Sequence, residues 1–377
     1  MQKDVITRPV WVEVDLAQIK NNFKMIKDLV DKDVIIMPVI KADAYGHGAI
    51  MIAKALCKAG ADRLAVALPE EAVELRKSGI SLPIQVLFNI SPEQYRLLFA
   101  YDLIATVSDS TTLGYLNKEA LTKGVKLKVH LAVDSGMGRQ GFLIEEGTGI
   151  ARDIAGYQGL EIEGLMTHFS CADERNKAYT YYQWARFNKL LKVLEEKNIS
   201  ISLLHASNSA AILDLPGLPF NMVRPGIIIY GLRPSENIVS SDNFKKALSW
   251  KAKVSLLREI PAGSALGYGG TYITKRPSMI ATIPLGYADG YPRQLSNRGF
   301  VLIGGERAPI RGRVCMDQIL VDVTDIADAA CGDEVVLIGR QGDLEITADD
   351  LAEICQTINY EIVCGISKRV PRIYLND

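Results

Sequence analysis

Eight short apolar runs recur through the first two-thirds of the chain: Ile35–Lys41, Leu64–Leu68, Ile84–Phe88, Ile104–Val107, Leu127–Asp134, Leu160–His168, Ile201–Ala206 and Asn221–Ile227. Stretches with helical amphipathic spacing, such as Ala49–Ala59, Pro69–Lys77 and Asn176–Glu196, lie between them. A run that is apolar throughout, followed by a helix, is the unit of a parallel sheet buried on both faces. Eight such units over roughly the ~250 residues usual for the fold predict an α/β protein with an N-terminal (β/α)8 barrel. A doubly wound sheet is the alternative, since the pattern does not show closure. From about Trp250 the texture changes. Ala252–Ile260, Ser278–Pro284, Phe300–Ile303, Ile319–Val323 and Glu334–Ile338 are β-rich and separated by Gly, Pro and Asp signals, which predicts a second, mainly β domain.

Composition narrows the function class. Lys and Arg number 43 against 44 Asp and Glu, so no overall charge draws the chain to nucleic acid or an acidic membrane. No uncharged apolar run approaches the ~18 residues a membrane span needs, and the start Met1-Gln2-Lys3-Asp4-Val5 lacks the apolar core of a secretion signal. The six cysteines form neither a C-x-x-C pair nor a dense scaffold, which predicts reduced thiols and a cytoplasmic protein. The four histidines make no metal motif, so no metal is expected.

Chemistry-bearing residues gather at the expected strand ends, the rim where barrels keep their catalytic groups. Lys41 follows Ile-Met-Pro-Val-Ile, a setting that lowers an amine's pKa toward the neutral form used in imine chemistry. His168, His205 and Arg224 belong to the sixth, seventh and eighth runs. Ser207-Asn208-Ser209 opens a helix after the seventh run, and hydroxyls with free N–H groups there suit a phosphate; Arg224-Pro225-Gly226-Ile227 adds fixed charge and a glycine. Gly136-Met137-Gly138-Arg139-Gln140-Gly141 matches a dinucleotide fingerprint, with Glu161 in the position of its ribose acid. Its place in the middle of the eight-unit run argues instead for a tight loop presenting Arg139. In the β domain, Tyr268, Tyr287, Arg293 and the Cys315-Met316-Asp317 segment lie among glycine-flanked turns.

Together these residues resemble the alanine racemase family across nearly the whole chain, from Val12-Glu13-Val14-Asp15-Leu16 to Ser367–Arg372. The most specific element is Lys-Ala-Asp-Ala-Tyr-Gly-His-Gly at 41–48. Arg-Pro-Gly-Ile at 224–227, Gly-Tyr-Gly-Gly-Thr-Tyr at 267–272 and Cys-Met-Asp at 315–317 follow in order. The resemblance implies a terminal segment (1–10), a strand associated with the β domain (11–16), a cofactor-binding barrel (17–248) and a β domain (249–377). It implies pyridoxal 5'-phosphate as cofactor, with Lys41 forming its Schiff base. Tyr45, Ser209, Gly226, Ile227 and Tyr360 are its phosphate ligands, with Asn208 beside them. His168 stacks on the ring, and Arg224, braced by His205, faces the ring nitrogen. Tyr268 and Lys41 are the two bases, Tyr268 taking the proton from L-alanine and Lys41 from D-alanine, with Tyr268 reaching the site from the second subunit of a homodimer. Arg139 and Met316 contact substrate, Tyr287 and Arg293 line the entrance, and Asp317 supports that loop. The product D-alanine would serve cell-wall peptidoglycan. A serine or broad-specificity racemase is the alternative, and a non-catalytic pyridoxal-phosphate carrier a further one. One position departs from the pattern. Many members have a carbamylated lysine seven residues before the barrel arginine, and here that residue is Ala132. A small anion or ordered water is therefore expected beside a partly buried Arg139.

Overall fold

The computed structural model describes residues 7–146, 149 and 156–377. The described chain divides into two compact units. One comprises residues 18–44 and 49–246; the other joins the N-terminal 17 residues and Tyr45–Gly48 to Ala247–Asp377. Strand β1 (Val10–Asp15) belongs to the second of these and is taken up with it.

The first unit carries β2 (Ile35–Ile36), β3 (Leu64–Val66), β4 (Ile84–Val86), β5 (Ile104–Val107), β6 (Leu127–Asp134), β7 (Leu160–Met166), β8 (Leu203–His205) and β9 (Met222–Val223). Each lies inside one of the eight runs read from the sequence. Strands β3 to β8 pair in sequence order as one open parallel sheet, and β9 pairs in parallel with β2. Backbone bonds carry this pair to both sheet edges. Ile40 N–H donates to the Ala65 carbonyl at 2.8 Å, and Arg224 N–H donates to that of Ser207 at 2.9 Å. The barrel reading therefore holds over the doubly wound alternative. Parallel strands between helices have no solvent face, and β3, β4 and β5 are accordingly buried at every residue.

In the second unit β1 pairs antiparallel with β10 (Leu248–Lys253), which is followed by β11 (Leu256–Ile260), β12 (Ser278–Ile283), β13 (Phe300–Ile303), β14 (Glu306–Pro309), β15 (Ile319–Asp322), β16 (Glu334–Gln341) and β17 (Arg372–Leu375). One sheet runs β14–β13–β16–β10–β1–β17 and another β11–β12–β15. The expected single strand Ala252–Ile260 is thus two, in different sheets. The break falls where the backbone changes partner: Val254 N–H donates to the Asp333 carbonyl beside β16, and Ser255 N–H to that of Thr282 in β12. Arg8 pins the start of the chain here with a bidentate pair to the fully buried Asp289, at 2.6 and 2.7 Å.

Candidate functional site

Lys41 lies five residues past the end of β2, and the chain then turns through four left-handed residues, Ala42 at φ 52° and Asp43, Ala44 and Tyr45 at φ 53°. None is glycine, so each conformation costs about 1–2 kcal/mol and persists only where surrounding contacts impose it. Glu71, in the first turn of the helix Pro69–Lys77, is one such contact: its Oε1 accepts the Ala42 N–H at 2.6 Å while Oε2 accepts the N–H groups of Ala67 and Leu68. Asp43 Oδ1 accepts the Ala49 N–H at 2.7 Å. Glu71→Ala is expected to let Lys41 drift and lower kcat/KM for alanine by up to about a hundredfold. Circular dichroism should show the fold retained; unchanged kinetics would show that Glu71 does not hold the lysine.

The ammonium of Lys41 lies 5.3 Å from the centre of the Phe88 ring, and the guanidinium of Arg139 lies 5.1 Å from the same centre. Phe88 was legible only as the end of a strand run, yet both cations lie against its ring. Arg224 is buried and donates to four acceptors: Nη1 to His205 Nδ1 at 2.6 Å, and Nη2 to the Thr167 carbonyl (2.9 Å), the Ala206 carbonyl (3.1 Å) and His168 Nδ1 (3.1 Å). A guanidinium can only donate, so both histidines accept at Nδ1 and carry their proton on Nε2. Burial, with Arg139 adding to it, lowers the Arg224 pKa to about 9, still cationic at neutral pH. The pKa of His168 falls well below its ordinary value through burial and the charges of Arg224, Arg139 and Lys41, so its ring is neutral.

Asn208 caps the helix Ser209–Asp214 by accepting the Ala211 N–H at 3.0 Å. The Gly226 N–H donates to Ser209 Oγ at 2.9 Å, and the buried Ile227 opens the next helical turn. The dinucleotide fingerprint has another use. Asp134 Oδ1 accepts the N–H groups of Gly136, Met137 and Gly138 at 2.8, 2.9 and 3.1 Å, so a carboxylate already fills the nest that a pyrophosphate would need. Directly after the loop the chain forms the short strand Phe142–Leu143 and the helical turn Ile144–Glu146.

Ala132 presents a buried methyl group. The desolvation cost that argued for an anion is smaller than the sequence reading assumed. Arg139 is exposed and stacked on Phe88, and although its partial enclosure lowers its pKa, the charge of Asp134 opposes that fall. With no amine at position 132 to carbamylate, racemisation is expected to be independent of added bicarbonate. A saturable gain on titrating bicarbonate would reveal a carbamate elsewhere.

In the other unit, the Tyr45 and Tyr360 rings are 6.1 Å apart and tilted. Tyr268 sits on the turn Tyr268–Gly270 and is 71% exposed. The backbone N–H groups of Tyr287 and Ala288 donate to the carbonyls of Cys315 and Met316, both at 3.0 Å, joining the two loops that carry Tyr287 and Met316. Asp317 pairs with Arg369 at 2.8 Å, and Arg293 is exposed. Among the described residues no cluster of three or more His, Cys, Asp or Glu is placed to hold a metal, and no helix is long and apolar enough to cross a membrane.

The donor set of the barrel rim suits an anionic, ring-bearing ligand. It offers an amine beside an aromatic face, a buried arginine whose acceptors are all neutral, a neutral histidine, and a hydroxyl with a backbone amide. Comparison with known proteins covers both units of the chain. The alanine racemase N-terminal domain matches residues 14–234 and the alanine racemase C-terminal domain residues 247–374. The alanine racemase of Halothermothrix orenii is 54% identical over 371 residues, covering 98% of each chain. Among solved structures, alanine racemase of Clostridium difficile 630 superposes with a TM-score of 0.94 at 41% identity, over 98% of this chain and 96% of that one. The Bacillus anthracis alanine racemase with bound L-Ala-P gives 0.93 at 41% identity, over 99% and 96%. On this similarity along both units, the chain belongs to the alanine racemase family, and it is an isomerase.

Proposed function

We propose that the chain interconverts L- and D-alanine with pyridoxal 5'-phosphate, each site being completed by Tyr268 of a second copy. The observation that carries this reading is the placement of Lys41 with Arg139 and Phe88, together with the cationic Arg224 against the neutral His168. The residues fit the cofactor: Lys41 would carry it covalently, Ser209 and the amides of Gly226 and Ile227 would hold its phosphate, and Arg224 would face its ring nitrogen. Bound there, the cofactor withdraws electrons and makes the substrate's Cα–H acidic.

The chain's own groups then do the remaining work. Arg224 would donate a hydrogen bond to the ring nitrogen without giving up its proton, leaving that nitrogen unprotonated and the electron sink moderated. Arg139, beside Phe88, offers its charge to the substrate carboxylate. Racemisation removes a proton from one face of Cα and returns one to the other, so two bases on opposite faces are the minimum. Lys41 serves one face and Tyr268 the other. An ordinary tyrosine titrates near ~10, so Tyr268 needs positive neighbours in the assembled site to act as a base. The product D-alanine would feed peptidoglycan synthesis in the cytoplasm. Incubating the purified protein with single L-amino acids and assaying each D-product tests the assignment: alanine is expected to be turned over fastest, and faster turnover of serine would replace it with a serine racemase.

A further inference from the structure

Glu163 is the one carboxylate buried in the barrel unit among the described residues, and the chemistry proposed above does not use it. Arg63 Nη1 donates to its Oε1 at 2.5 Å and Nη2 to its Oε2 at 3.3 Å. Arg63 lies just before β3 and Glu163 on β7, with three strands between them in the sheet, so the pair spans the barrel interior. His130 Nε2 lies 3.1 Å from the same Oε1, His130 Nδ1 lies 2.7 Å from His205 Nε2, and Arg224 Nη1 lies 2.6 Å from His205 Nδ1. Both ends dictate one direction. Arg224 can only donate and ionised Glu163 can only accept, so His205 and His130 each accept at Nδ1 and donate from Nε2.

The neighbouring strand is built to admit this arrangement. Gly164 is in register with His130, and a Cβ at that position would fall 2.2 Å from His130 Nδ1 and 2.4 Å from Cε1. A rigid ring cannot give way by that amount, so any side chain at 164 would displace the imidazole. The two imidazoles meet edge to face, with centroids 4.9 Å apart.

We propose that Glu163 is a positioning residue for Arg224, acting through His130 and His205: the hydrogen-bonded chain fixes both histidines in one neutral tautomer, orients the guanidinium and carries the carboxylate's polarity to it. The proposal rests on the reading of Arg224 as the residue that faces the cofactor ring. Electrostatics agree with the geometry. Burial alone would raise the pKa of Glu163, yet its bonds from His130 and Arg63 outweigh that and hold it at about 2. Burial lowers both histidines, that of His205 with help from Arg224. Lys128, 3.6 Å from Glu163 Oε2 and half exposed, is the other charge on this carboxylate.

With four histidines in the chain, selective 15N-histidine labelling of the enzyme as purified gives a readout that does not depend on turnover. His130 and His205 are expected as neutral Nε2–H tautomers at pH 7. In Glu163→Gln the amide oxygen can still accept from His130 but the charge is gone. The His205 resonances, two links away, should move, and kcat should fall about tenfold, as when partners of directly acting ligands are lost elsewhere, with KM for alanine unchanged. Gly164→Ala, which breaks the chain at His130 while sparing the Glu163–Arg63 pair, should move His205 in the same way. His205 found charged or in the other tautomer, or resonances and kcat unaltered in Glu163→Gln, would overturn the proposal. A wild-type protein that racemises nothing would overturn the functional reading, while the histidine resonances would still judge the chain.

Discussion

Lys41→Ala is expected to abolish racemisation, with kcat falling by about 10⁴-fold or more, the upper range for loss of a positioned proton-transfer group, and with covalent cofactor attachment lost as well. The lysine follows β2 at the head of a turn pinned by Glu71 and Asp43, beside the Phe88 ring. Its amine is half-buried, and truncation there removes no part of the apolar core. The variant should therefore keep its circular dichroism spectrum and melt near the wild-type temperature while losing the visible absorbance of the bound cofactor. Borohydride reduction of wild type followed by peptide mapping should place the cofactor on the peptide containing Lys41. Recovery on another lysine would refute the assignment.

Tyr268→Phe should also be inactive, yet mixing it with Lys41→Ala should restore turnover. Tyr268 lies on an exposed turn, as a residue that serves a second copy must. In a mixed dimer one site combines both lesions and the other has intact Lys41 and intact Tyr268. Random exchange makes half the dimers mixed, so about a quarter of wild-type activity is expected. Verified exchange without recovery would sink the shared site. Solvent deuterium exchange separates the two bases. By family resemblance Tyr268 abstracts from L-alanine and Lys41 from D-alanine, so Tyr268→Phe should first impair loss of the α-proton from L-alanine.

The barrel strands were legible because they are largely buried, β3, β4 and β5 at every residue, and so read as apolar runs. The break between β10 and β11 was not, since it is a change of hydrogen-bond partner with no residue to announce it. Lys41, His168, His205 and Arg224 could be picked out individually as charged or ionisable residues at strand ends. Their mutual geometry could not, because it depends on contacts between strands far apart in sequence. The same reason hid Glu163, which reads as one more acid in Leu-Glu-Ile-Glu-Gly until Arg63 and His130 are seen to meet it. Phe88 passed as ordinary core. The Gly136–Gly141 loop misdirects for a different reason: glycines report only that the backbone turns tightly, and here a neighbouring aspartate occupies the nest.

The turn after Lys41 bears on the order in which the molecule can assemble. Ala42 and Ala44 have no local preference for the mirror-image backbone they adopt; left to themselves they would wind the other way. Contacts distant along the chain help impose it, among them the bond from Ala42 to Glu71, which requires the Pro69–Lys77 helix to be in place. The reactive amine is therefore presented late, after its surroundings have formed. A nascent or partly melted barrel has the lysine but not its posture, so a chain that has not finished folding is poorly equipped to capture an aldehyde.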